Sequence, residues 1–124
     1  MIGINRDHDN PRGHLIGKKF IEAEYSHGKK ILEIGGQIFP MKKYFPGVKL
    51  LDIDNRWNPD FLCDAEDMKP IADRTFDIIY SSHFFEHVYR PEKILMECHR
   101  ILKKNGLLFF IVPVVRLDRL WVIL

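Results

Sequence analysis

Glu33-Ile34-Gly35-Gly36 sets two glycines directly after a short apolar run, and Asp52 follows nineteen positions after Glu33, at the tip of a second such run. The pairing suits a nucleoside cofactor. A glycine turn lets backbone N–H groups approach a ligand, and a carboxylate on the neighbouring strand tip can accept hydrogens from both ribose hydroxyls. Gly-Gly alone is as readily an ordinary strand-to-helix turn, so the distant acid is what gives it meaning. A dinucleotide fingerprint would need G-x-G-x-x-G, whereas Gln37 and Phe39 stand where small residues belong, which disfavours NAD.

Two further stretches carry candidate chemistry. In Cys63-Asp64-Ala65-Glu66-Asp67 a carboxylate could accept from the exocyclic amine of an adenine while a backbone N–H reaches a ring nitrogen. Seen alone, the same residues read equally well as an acidic loop capping a short helix. Ser81-Ser82-His83-Phe84-Phe85-Glu86-His87 spells H-x-x-E-H, a zinc signature with two imidazoles and a glutamate base. That reading needs the motif on a long helix and a third ligand well downstream. A strand precedes it here, Pro91 follows closely, and the chain has only 37 further residues after His87. A zinc hydrolase is the minor alternative, and packing or hydrogen bonding at the sheet mouth is the plain reading of either histidine.

The elements that must position these residues follow from pattern. Pro11 to His27 has helical spacing with Gly28 as a stop. Lys30–Ile34 is a buried first strand, Val48–Ile53 a second, Asp60–Cys63 a weaker third, and Phe76–Ser81 a fourth. Met41–Phe45 predicts a short helix. Pro91 opens a helix with Ile94, Leu95, Cys98, Ile101 and Leu102 on one face and charges on the other, stopped by Asn105-Gly106. Leu107–Val112 is then a fifth strand, followed by the apolar stretch Val114–Leu124. Buried strands alternating with helices predict a parallel α/β sheet with a crevice at the strand carboxyl ends.

Composition fits one domain over residues 1–124. The 46% apolar content supports a real core, and 19 basic against 17 acidic residues give a net charge of +2 with no basic run, so no nucleic-acid patch is indicated. Cys63 and Cys98 match no C-x-x-C spacing and read as reduced thiols. The N-terminus has no signal-peptide stretch and no segment reaches membrane-span length, which predicts a soluble, cytoplasmic protein with no membrane partner.

Taken in order, Ile31-Leu32-Glu33-Ile34-Gly35, Leu51-Asp52-Ile53-Asp54, Cys63-Asp64-Ala65, Phe76–Val88 and Arg100–Leu108 resemble successive motifs of the class I, Rossmann-like, S-adenosylmethionine-dependent methyltransferases, of the type 11-like kind. The resemblance spans residues 29–113. It implies a three-layer α/β sandwich with a mostly parallel five-stranded sheet of order 3-2-1-4-5, and S-adenosylmethionine as cofactor, leaving as S-adenosylhomocysteine. By the resemblance, Glu33, Gly35 and Gly36 would hold the methionine end, Asp52 the ribose, and Asp64 with Ala65 the adenine, with Gln37 and Ile53 as further cofactor-binding candidates. Ser82 and His83 would face the sulfonium. Gln37 stands where members usually carry a second glycine, in a loop resembling a variant closed by Pro40.

The implied function is methyl transfer to an oxygen or nitrogen of a small-molecule or glycan-type acceptor, by placing that atom in line with the methyl group. His83 is the candidate base and His87 the second; no metal is implied. Full members continue past the fifth strand with a further helix and an antiparallel strand pair, which this chain is expected to lack. Its fifth strand is then expected as a bare edge beside an apolar tail of Leu117, Leu120, Trp121, Val122 and Ile123. That predicts a homodimer, a partner chain or a shortened gene, and motivates the alternative of a non-catalytic or partner-dependent module.

Overall fold

The computed structural model describes residues 2–5, 11–36, 40–117 and 120–123. Its centre is built by short, doubly buried strands: β2 (Ile31–Ile34) has all four residues buried, and β5 (Phe76–Ser82) five of its seven. Apolar residues on both faces suit strands covered on both sides, as parallel sheets are. Leu32, Ile34, Leu51 and Ile79 face one way, into a cluster completed by Met68, Ile71 and the buried stripe Ile94, Cys98 and Ile101 of helix α2 (Pro91–Ile101). Ile31, Ile78, Tyr80, Phe109 and Ile111 face the other way, against Ile21 of helix α1 (Pro11–Ser26), Met41 and Val48. The period of two along each strand thus makes a three-layer sandwich.

Two glycines allow close approaches in these layers. A Cβ on Gly17 would lie 2.1 Å from the Tyr80 hydroxyl, so α1 can only reach the sheet there without a side chain. Gly28, at φ +73°, ends α1 by letting its N–H turn back to the Tyr25 carbonyl at 3.0 Å.

With β1 (Ile2–Asn5), β3 (Lys49–Asp52), β4 (Phe61–Leu62), β6 (Leu102–Leu117) and β7 (Leu120–Ile123), the sheet order is β1-β6-β5-β2-β3-β4, and β7 pairs with β6. The segment β4-β3-β2-β5-β6 is the expected 3-2-1-4-5 order, and its pairings are parallel. Parallel pairing brings the carboxyl ends of β2, β3, β4 and β5 to one edge.

Two expectations are corrected. The fifth strand is not a bare edge: β1 lies parallel along it, Ile2 opposite Phe110 and Asn5 opposite Pro113, and the C-terminal stretch returns antiparallel, Val114 opposite Ile123. The observation that motivated a dimer or partner chain on that flank is therefore replaced by the chain's own N-terminal strand. Helix α2 also stops earlier than Asn105-Gly106. Leu102 is already extended and pairs with Phe76, and Lys103–Gly106 form an irregularity before Ile78 meets Leu107. Asn105 takes φ +64°, and a Cβ on Gly106 would fall 2.8 Å from the Lys103 carbonyl, so the dipeptide shapes a strand bulge rather than a helix end. Among the described residues no helix is long and apolar enough to cross a membrane.

Candidate functional site

A cleft of about 400 Å³ opens at the carboxyl ends of β2, β3, β4 and β5, lined by residues from each strand end, from the β5–α2 connection and by Ile94 of α2. Gly35, Asp52, Ile53, Asp64, Ala65, His83 and His87 all lie on its wall, so the structure gathers residues spread over more than fifty positions of sequence.

The floor is the glycine turn. Gly35 has φ +70°, its N–H donates to the Leu51 carbonyl at 3.0 Å, and a Cβ there would sit 2.7 Å from the Phe84 ring. A Cβ on Gly36 would meet Leu50 at 2.9 Å and the Glu33 carboxyl carbon at 3.0 Å. Glu33 does not line the cleft. It is buried behind the turn, where Oε2 accepts the Met41 N–H at 2.6 Å and closes the loop. Burial pushes its carboxyl up to about 7, against the pull of the Met41 N–H and of Lys42. Gln37 lies outside the described residues.

On the next strand tip, Asp52 and Asp54 are treated differently. Asp54 is satisfied locally: it accepts from the Arg56 N–H at 2.9 Å and from the Arg56 guanidinium, which holds its carboxyl below the usual range. Asp52 is buried; its Oδ1 accepts the Asp54 N–H at 2.9 Å, while Oδ2 is shielded from solvent with no hydrogen bond. An acceptor so placed costs free energy until a donor arrives. Ile53, 71% exposed, forms the lip beside it.

The wall after β4 is closed by a network not read from the sequence. Asp64 Oδ1 accepts the Glu66 N–H at 2.8 Å, and Ala65 is buried. Downstream, Glu97 of α2 accepts the Met68 N–H at 2.6 Å. Arg100 donates to Glu97, to Asp73 at 2.9 Å and to the carbonyls of Ile71 and Met68 at 2.8 and 3.0 Å. Arg100 holds the Glu97 carboxyl low and draws the loop onto the helix. The i,i+3 spacing of Glu97 and Arg100 was the available signal, but their charges read as a solvated face.

The wall after β5 is set by Ser81, whose Oγ donates to the Ile34 carbonyl at 3.2 Å and ties β5 to β2. Ser82 is directed to the Tyr80 hydroxyl and does not line the cleft. His83 follows with φ +52°, its N–H donating to the Ile111 carbonyl at 2.9 Å. Its Nδ1 is 3.4 Å from Glu86 Oε1, and His87 Nε2 is 3.6 Å from the same oxygen. Only Phe85–His87 is helical, as one 3-10 turn, so the H-x-x-E-H residues do not sit on one α-helical face as the zinc signature requires.

Residues 45–110, more than half of the chain, match a family model described as a methyltransferase domain. The chain belongs to this methyltransferase family. The matched span holds Asp52, Asp64, Ala65, His83 and His87, the acidic and histidine walls of the cleft. Over 41 residues, 33% of the chain, it is 46% identical to malonyl-[acyl-carrier protein] O-methyltransferase 1 of Coxiella burnetii, covering 14% of that protein. Over 46 residues, 37% of the chain, it is 42% identical to thiol S-methyltransferase TMT1B of Rattus norvegicus, covering 19% of it. The chain thus matches under a fifth of the length of these curated relatives. A SAM dependent methyltransferase from Aquifex aeolicus superposes with a TM-score of 0.58 at 20% identity, covering 90% of this chain and 72% of that one, a likeness of fold.

Proposed function

We propose that the cleft binds S-adenosylmethionine and that the chain transfers its methyl group to a heteroatom of a small-molecule or glycan-type acceptor. The single observation that carries this is Asp52 Oδ2: a buried carboxylate oxygen without a partner, between the glycine turn and the Asp64 loop, where a ribose diol would donate to it. The turn fits the same ligand, because Gly35 takes a positive φ and neither Gly35 nor Gly36 has room for a side chain, which leaves bare backbone at the strand end.

When bound, the cofactor supplies an electrophilic methyl group on a sulfonium. The chain's part is to hold and orient. Gly35 and Gly36 offer backbone to the methionine end, with Glu33 fixing the loop from behind through Met41. Asp52 takes the ribose hydroxyls, Ile53 covers the sugar at the lip, and Asp64 with Ala65 takes the adenine. His83, at the tip of β5, faces the acceptor, with His87 further out. Ser82 has no part in this reading, since its side chain serves Tyr80. The chain's relatives act on a malonyl group carried by a protein and on thiols, so the acceptor atom is proposed as oxygen or nitrogen with sulfur added by that likeness.

Calorimetric titration of S-adenosylhomocysteine into the purified chain tests this. Binding in the micromolar range, about −8 kcal/mol, is expected. A folded protein that takes up no S-adenosylhomocysteine would sink the proposal.

A further inference from the structure

Two imidazoles of the β5–α2 connection, which holding the cofactor does not occupy, converge on one carboxylate oxygen. Glu86 Oε1 lies 3.4 Å from His83 Nδ1 and 3.6 Å from His87 Nε2, and the Glu86 side chain is only 7% exposed. Both of its oxygens are shielded from solvent and neither accepts a hydrogen bond. A buried carboxylate in that state is costly unless a proton donor reaches it, and the donors beside it are imidazoles. The two rings differ: the His87 side chain is 67% exposed, the His83 side chain 22%. His83 Nδ1 is itself sheltered from solvent, and His83 lines the cleft. The backbone holds this arrangement at a cost, since an L-residue at φ +52° is uncommon and the His83 N–H is fixed on Ile111. At 3.4 Å the contact becomes a hydrogen bond after a small ring rotation, the tightening expected when a site is filled.

We infer that Glu86 is a positioning residue: its carboxylate holds the Nδ1 proton of His83, so that the neutral ring presents an unprotonated Nε2 to the cleft. This rests on the methyl-transfer reading and narrows its acceptor. A base held in this way serves an atom that still carries its proton at neutral pH, a hydroxyl or a thiol, and is superfluous for a carboxylate. As the acceptor oxygen or sulfur bonds to the methyl carbon, it displaces the sulfonium sulfur, which keeps the S–CH3 electron pair as a thioether. The acceptor's proton passes to His83 Nε2. The positive charge that began on the sulfonium therefore ends on an imidazolium beside the Glu86 carboxylate, a favourable place for it in a partly dry cleft.

Nitrogen-15 NMR of the histidine side chains distinguishes the outcomes, run on the whole chain and on Glu86→Gln at a pH where imidazole is neutral. His83 is assigned by the resonances missing from His83→Gln, and S-adenosylhomocysteine affinity is measured on the same samples. The expected result is an Nδ1–H tautomer for His83 in the wild type and its loss in Glu86→Gln, with affinity for S-adenosylhomocysteine changed by less than about threefold. A wild-type His83 carrying its proton on Nε2 overturns the inference, and so does the same tautomer in both proteins. Absence of S-adenosylhomocysteine binding in the wild type strikes the methyl-transfer reading instead, and leaves the tautomer readable.

Discussion

The floor of the cleft and its β4 wall are electrostatically closed, whereas the β3 tip at Asp52 and the turn after β5 at Glu86 are open. In the closed region the polar groups find partners inside the chain: Glu33 holds the Met41 N–H, and Arg100 spans Glu97, Asp73 and two carbonyls. In the open region, Asp52 Oδ2 and both Glu86 oxygens are buried without hydrogen bonds. Closed networks fix shape; open acceptors are stability forgone, and proteins retain such costs where a ligand or a proton repays them. Substitutions in the closed region should therefore cost folding free energy, and those in the open region should cost binding or chemistry instead.

The largest expected effect is a pH dependence from Glu33. Its carboxyl is raised from 4.5 to about 7 in the folded chain. Between those values the unfolded chain releases the proton while the folded chain keeps it, so the contribution of Glu33 to stability is full below pH 4.5 and is lost as the pH rises to about 7. The amplitude should be about 3 kcal/mol in urea melts across that window, and Glu33→Gln should flatten it. A wild-type curve already flat there would place Glu33 outside the closed region.

Next in size, Arg100→Met should destabilise the fold by about 2 kcal/mol, as charged hydrogen bonds to Glu97 and two carbonyls are lost from a side chain that is still 30% exposed. Urea melts at fixed pH measure this, and a cost below about 0.5 kcal/mol would mean that the clamp is ornamental. Gly35→Ala should cost about 1 to 2 kcal/mol, from the positive φ and the clash with Phe84, and should also weaken S-adenosylhomocysteine binding because Phe84, which lines the cleft, must move. Smallest of all, Glu86→Gln should leave stability within about 1 kcal/mol of wild type or slightly raise it, since it removes a buried charge that lacks hydrogen bonds. A large loss of stability there would erase the contrast between the two regions.

Much of this was legible in the residues. The run-and-glycine ending of β2, the acid closing β3 and the apolar stripe of α2 each follow from local pattern, and parallel topology then brings Gly35, Asp52, Asp64, Ala65 and His83 to one edge. What escaped is non-local. A four-residue strand such as Ile2–Asn5 carries too few positions for a period-two pattern, and only its register against Phe110–Pro113 makes it a strand. Leu102 continues the apolar period of α2, yet pairing with Phe76 takes it into β6. Arg100 read as a solvated charge because its carbonyl partners lie some thirty residues away. Ser82 was taken for a cleft residue by its place beside His83, but alternation along β5 turns it toward the Tyr80 hydroxyl.

The most direct test of the central claim uses two neighbouring aspartates, one buried on the cleft wall with an open oxygen and one satisfied by Arg56 outside it. S-adenosylhomocysteine is titrated into wild type, Asp52→Ala and Asp54→Ala. Loss of affinity by about 10- to 100-fold in Asp52→Ala, the worth of hydrogen bonds to a charged group, with Asp54→Ala within about threefold of wild type, is the predicted result. Equal affinities in all three proteins would contradict it, because the open oxygen of Asp52 would then have no ligand to receive.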